Sequence, residues 1–137
     1  MSFVLDGSIS LAWYFEDEAT EAADEVLERV RKEGAVVPAL WCFEVASALQ
    51  MAVRRRRIDR SFRDRALARL ETLTIAIDPE SAACAWHESV QLADRHNLTV
   101  YDAAYLELAQ RRRLPLATLD RALIRAGQAE GVPVIGL

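Results

Sequence analysis

Phe3-Val4-Leu5-Asp6-Gly7-Ser8 is a short apolar run that ends on a carboxylate, a glycine and a hydroxyl. Consecutive apolar residues bounded by turn formers fit a strand buried on both faces, as in a parallel sheet. The run begins directly at Met1-Ser2, without the basic region and long apolar core of a secretory leader. Gly7 and Ser8 turn the chain, and Asp6 or Ser8 is placed to cap a short helix through Phe15.

Working outward, the same alternation recurs. Apolar residues at spacings of three and four predict an amphipathic helix over 18–33, stopped by Gly34. A second strand follows over 35–37, closed by Pro38. A helix over 40–56 is apolar on most sides and is therefore expected to be largely buried, in the core or at an interface. Asp59 or Ser61 caps the next helix, which runs to about Thr72. Residues 73–77 are the third strand. Asp78-Pro79 reads as a cap with proline at the first helical position of a helix reaching about Arg95. After a break at Asn97-Leu98, Thr99 opens a helix to about Arg112. Residues 114–118 form a short strand, 120–129 a helix ended by Gly131, and 132–135 the last strand. Strand then helix, repeated, predicts a single α/β domain over 1–137. Its mainly parallel central sheet has four to five strands, with helices on both faces.

Composition bounds the function. No apolar run approaches the roughly 20 residues of a membrane span, so a soluble cytoplasmic protein is expected. Cys42 and Cys84 lack metal-ligand spacing and read as buried reduced thiols. The net charge is −4, Lys32 is the only lysine, and the five glycines are scattered singly, so no phosphate-cradling loop is present. A phosphoryl-transfer or receiver-type pocket would need a lysine near its acids, and Lys32 lies far from them in sequence. Arginines are clustered at Arg54, Arg55, Arg56 and Arg57, and again at Arg111, Arg112 and Arg113. Each cluster ends a helix, where positive charge complements the dipole. The first also suits an RNA backbone or the acidic groups of a partner protein. Trp13, Tyr14 and Phe15, with Trp41 and Phe43, fit either the core or a groove for a partner's amphipathic segment.

Four carboxylates carry the chemistry. Ligands of open parallel sheets bind outside the carboxyl ends of the strands. Asp6 leaves the first strand there, and Asp120 follows the strand at 114–118. Asp102 sits in the first turn of the helix opened by Thr99. Glu44 interrupts an apolar helix one turn from its start. Each has a plain alternative: Asp6 and Asp120 as helix caps, Asp102 in a capping-box pattern with Thr99, and Glu44 on a polar strip. Gathered at one edge, however, they repel one another and call for a cation, and no arginine neighbours Asp6, Glu44 or Asp102 in sequence. Oxygen ligands suit Mg²⁺ or Mn²⁺.

An N-terminal strand ending in Asp6-Gly7-Ser8, Glu44 in a mid-chain helix, Tyr101-Asp102-Ala103 and Ala117-Thr118-Leu119-Asp120 together resemble the PIN domain. The resemblance is to the VapC-type ribonuclease toxins of toxin–antitoxin pairs, and it covers essentially the whole chain. It implies a Rossmann-like sheet, Mg²⁺ or Mn²⁺ as cofactor, endoribonuclease activity, a small antitoxin partner and a homodimer. It implies that Asp6 and Asp102 are the main metal ligands, with Glu44 and Asp120 completing the acidic cluster. Ser8 and Thr118 are implied as hydroxyls holding carboxylates or a water. The expected reaction is in-line attack of metal-activated water on an RNA phosphodiester, leaving a 5′-phosphate and a 3′-hydroxyl. His87 and His96 match no motif position and are expected at the surface or in structural roles. The competing reading is a non-catalytic PIN-like module that only binds a partner protein.

Overall fold

A computed structural model describes residues 2–135. Met1, at the head of the predicted apolar run, and positions 136 and 137 of the predicted domain lie outside the described residues. Five parallel strands form one sheet in the order β3-β2-β1-β4-β5. They are β1 (Phe3–Leu5), β2 (Ala35–Pro38), β3 (Ile75–Asp78), β4 (Leu116–Ala117) and β5 (Val134–Ile135). β1 and β2 are buried along their whole length, which is why they read as continuous apolar runs. β3, at an edge, leaves Ala76 and Ile77 exposed.

The order reverses direction between β1 and β4, so the two strands diverge in chain connection there and open a crevice at their carboxyl ends. Helices α1 (Gly7–Ala12), α2 (Glu21–Glu33), α3 (Leu40–Arg54) and α4 (Arg60–Glu71) connect β1 through β3. Helices α5 (Ser81–Cys84), α6 (Val90–His96) and α7 (Val100–Arg112) lead to β4, and α8 (Arg121–Ala129) leads to β5. Right-handed crossovers therefore put α1 to α4 on one face and α5 to α8 on the other. The buried face of α7, including Ala103, Tyr105, Leu106 and Leu108, packs against β1 and β2.

Several local expectations shift. Residues 16–18 form a separate 3₁₀ turn, and α2 starts three residues later than predicted because Thr20 caps it through the Ala23 N–H at 3.0 Å. Asp59 rather than Ser61 caps α4, through the Phe62 N–H. Asp78 is no helix cap. It closes β3, and the helix begins only at Ser81. The single helix predicted to Arg95 is instead α5, a π-helical stretch over 85–89 and α6. α3 buries one face in the core through Trp41, Val45, Leu49 and Ala52, while Phe43 on another face is 78% exposed in the single chain. Both cysteines are free but only half-buried. His87 is exposed, and His96 bonds Glu130 at 2.6 Å, in keeping with structural roles.

Candidate active site

Asp6 leaves β1 at the crevice and is buried to 5% exposure. It stands at the N-cap position of α1, yet its carboxylate caps nothing. Instead Oδ2 accepts two hydroxyl bonds, from Ser8 Oγ at 2.8 Å and Thr118 Oγ1 at 2.7 Å. Those hydroxyls are themselves held, since Ser8 Oγ accepts from the Leu119 N–H and Thr118 Oγ1 from the Asp120 N–H. The pairing of β1 with β4 makes this possible: Leu5 lies in register with Ala117, so Asp6 and Thr118 leave adjacent strands side by side. Oδ1 of Asp6 has no hydrogen-bond partner among the described residues.

Two of the other three carboxylates follow the same division of labour. Asp120 uses Oδ1 to cap α8 through the Leu123 N–H at 3.0 Å. Asp102 differs, since Thr99 caps α7 by accepting from its backbone N–H at 3.1 Å. Glu44 Oε1 accepts from the Tyr105 hydroxyl. The structural and chemical readings of these residues are therefore compatible, because an engaged oxygen fixes the side chain and leaves the carboxylate its second oxygen.

All four carboxylates, with Ser8, line one cavity of about 680 Å³ at the carboxyl edge of the sheet, and no lysine or arginine lines it. Electrostatics registers the crowding. Burial pushes Asp6 above the usual carboxylate range, the Thr118 and Ser8 hydroxyls oppose that, and the charges of Asp102 and Asp120 raise it further. Burial also raises Glu44, with Asp6 and Asp102 adding to it. Asp102 is raised by burial and then by Asp120.

Asp78 supplies the contrast. It too ends a strand and is buried, but Arg111 Nη2 lies 2.8 Å from its Oδ2 and Ser81 donates to the same oxygen. Although its burial opposes ionisation, the guanidinium and hydroxyl bonds prevail and hold its carboxyl at about 2. One strand-end carboxylate thus has its counter-charge built in, and the crevice carboxylates do not. Arg111 also pairs with buried Glu107 at 2.7 Å, so it is a structural hub rather than a free helix end.

A hard divalent cation fits this donor set, which is all oxygen and short of positive charge. Among the described residues no three acidic, histidine or cysteine side chains converge tightly enough to hold an ion between them.

The arginine cluster lies apart. Arg54 is ten residues beyond Glu44, about 15 Å along a helix, and Arg54, Arg55 and Arg56 are exposed. Arg57 forks onto Asp17 at 2.9 and 3.1 Å, and its guanidinium lies 4.5 Å from the Phe15 ring centre. It lines a larger cavity of about 1090 Å³ with Trp13, Phe15 and Phe62, which contains none of the four carboxylates. Tyr105 is the site residue that sequence reasoning missed. Its one signal was a phenol three positions after Asp102 in a buried stretch that is mostly alanine and leucine.

Comparison with known proteins covers nearly the whole chain. The chain is 32% identical over 123 residues to ribonuclease VapC3 of Pyrobaculum aerophilum, covering 90% of this chain and 92% of that protein. The crystal structure of PAE2754 from Pyrobaculum aerophilum superposes with a TM-score of 0.69 at 25% identity, over 98% of this chain and 92% of that one. FitAcB from Neisseria gonorrhoeae (TM-score 0.63, 17% identity, 98% and 96% covered) shares the fold. So does VapBC2 from Rickettsia felis, solved bound to a fragment of promoter DNA (0.64, 11%, 98% and 97%). No described helix is long and apolar enough to cross a membrane. The PIN domain family model matches residues 3–129, from the first strand through the last helix, and the chain belongs to the PIN domain family.

Proposed function

We propose that this chain is an endoribonuclease working with Mg²⁺ or Mn²⁺, and that it acts in the cytoplasm as the toxin of a toxin–antitoxin pair. The observation that carries the reading is the shared cavity: four carboxylates meet there with no basic side chain among them, and burial together with neighbouring carboxylate charge holds Asp6, Glu44 and Asp102 above the usual carboxylate range. Such an arrangement is unfavourable in an inert protein and useful in one that binds a cation. The relative named ribonuclease VapC3 points the same way.

In this reading Asp6 and Asp102 hold the ion, and Glu44 and Asp120 complete its surroundings directly or through water. A bound divalent ion supplies Lewis acidity, lowering the pKa of water and neutralising charge on a phosphodiester. Ser8 and Thr118 keep Asp6 in one rotamer with Oδ1 clear. Tyr105 does the same for Glu44. Neither histidine lines the cavity, so the residues offer no imidazole pair for cleavage through a 2′-hydroxyl.

The test is cleavage of single-stranded RNA by purified protein with Mg²⁺, beside Asp6→Ala and Asp102→Ala. Products with a 5′-phosphate and a 3′-hydroxyl are expected from the wild type alone. Equal cleavage by all three proteins would expose a contaminant and leave the chain as a partner-binding module. The toxin reading is checked by co-expression with the product of the adjacent small gene, which should co-purify with the chain and silence cleavage. Light scattering on the purified protein reads the homodimer.

A further inference from the structure

Two large aromatic side chains stand in water at the acidic cavity. Phe43 is 78% exposed and Tyr101 is 65% exposed. Both line the cavity that holds Asp6, Glu44, Asp102 and Asp120. Each immediately precedes one of those carboxylates, Phe43 before Glu44 on α3 and Tyr101 before Asp102 on α7. The two helix starts are close enough for the Asp102 charge to act on Glu44.

Exposing a phenyl ring to this degree forgoes its burial, which on another face of the helix would stabilise the fold. Cavity chemistry supplies a reason for it. The floor is anionic and repels a polyphosphate backbone. No lysine or arginine lines the cavity to offset that, and the cluster from Arg54 onward lies about three helical turns along α3. A bound cation engages the phosphate being cut, but the neighbouring nucleotides still need a source of affinity. Stacking on an aromatic face provides it without charge, and every unpaired base has such a face.

We propose that Phe43 and Tyr101 are stacking platforms for unpaired bases of single-stranded RNA on either side of the phosphate to be cleaved. This rests on the nuclease reading above. It assigns these two residues to substrate binding, through contacts that only unpaired bases can make.

The experiment compares wild type, Phe43→Ala, Tyr101→Ala and the rescue variants Phe43→Trp and Tyr101→Phe. Two single-stranded oligonucleotides of one sequence are used, one intact and one with abasic sugars beside the mapped cleavage position. KM and kcat are read for cleavage. Mg²⁺ affinity is read by calorimetry on the RNA-free protein. Each alanine variant is expected to raise KM for the intact oligonucleotide roughly tenfold, with kcat and Mg²⁺ affinity within about twofold of wild type. Trp and Phe should restore KM. The abasic oligonucleotide should be as poor for wild type as the intact one is for the alanine variants, with no further loss on combining them. An equal loss on both oligonucleotides, an unchanged KM, or an effect confined to oligomeric state or antitoxin capture overturns the stacking role and leaves the nuclease standing. Absence of Mg²⁺-dependent cleavage by the wild type overturns both.

Discussion

Thr118→Val removes one oxygen from the centre of the site and leaves its shape. The hydroxyl is fully buried, donates to Asp6 Oδ2 at 2.7 Å and accepts from the Asp120 N–H at 3.0 Å. A hydrogen bond to a charged group is worth on the order of 1.5–3 kcal/mol, and here an N–H loses its acceptor as well, so a loss of about 2 kcal/mol is conservative. An unfolding entropy of roughly 2.1 cal/mol/K per residue makes that loss a fall in Tm of about 7 °C for a chain of 137 residues. The loss must also depend on pH. The Thr118 hydroxyl favours the charged form of Asp6, so its removal costs most where Asp6 is ionised and less once the carboxyl takes up its proton. The assay is thermal unfolding followed by circular dichroism in EDTA, at neutral pH and near pH 3, for wild type, Thr118→Val and Thr118→Ser. Serine, which keeps the oxygen, should lie close to wild type. A Val variant as stable as wild type at neutral pH, or equally destabilised at both pH values, would falsify the view that Thr118 braces an ionised Asp6.

Three further outcomes follow from the same network. Arg111→Met strands the buried Asp78 and Glu107 carboxylates, and a loss of roughly 3–5 kcal/mol is expected in urea unfolding at neutral pH. Because Asp78 titrates at about 2 when folded against an ordinary 3.8, wild type should shed about 2 kcal/mol as pH falls through that window, and the Arg111 variant much less; parallel curves would refute the pairing. The metal-free protein should show the opposite slope above that window. Asp6, Glu44 and Asp102 hold protons in the folded state that the unfolded chain has released, so stability falls as pH rises from the ordinary carboxylate range through their raised values. Mg²⁺ at about 100 times its Kd should restore roughly 2.7 kcal/mol to wild type and little to Asp6→Ala; no difference between them would count against Asp6 as a ligand. Tyr105→Phe frees Glu44 while keeping the ring, and a roughly tenfold weaker response to Mg²⁺ with a change in stability of about 1 kcal/mol is expected. An unaltered Mg²⁺ titration would mean that Glu44 needs no tether.

The fold was legible because its strongest signals are local. β1 and β2 are short, uninterrupted apolar runs, and Asp59, Thr99 and Asp120 each mark a helix start with an acceptor side chain. The sequence also identified the four carboxylates that share a cavity and the two hydroxyls on Asp6. Legibility failed where a residue's partner lies far along the chain. Asp78-Pro79 has the look of a helix cap, and only Arg111, 33 residues later, makes Asp78 an ion-pair residue. Tyr105 meets Glu44 across 61 residues. Phe43 fits the core or a partner groove equally well in the sequence, because its neighbours are apolar and periodicity within one helix does not say which of two apolar stripes faces the sheet.

The two ends of the crevice lie far apart in synthesis. Asp6 is made before the rest of the site, and the hydroxyl that orients it comes 112 positions later, on a strand that must dock beside β1. An emerging chain that has released Asp6, Glu44 and even Asp102 still lacks β4, Thr118 and Asp120. Such a chain has a solvated, unbraced Asp6 and half a crevice. On the proposed function, the hazard of a cutting site arises only once the strand leading to Thr118 has emerged and docked, so the order of the strands works as a timer on the domain's own birth.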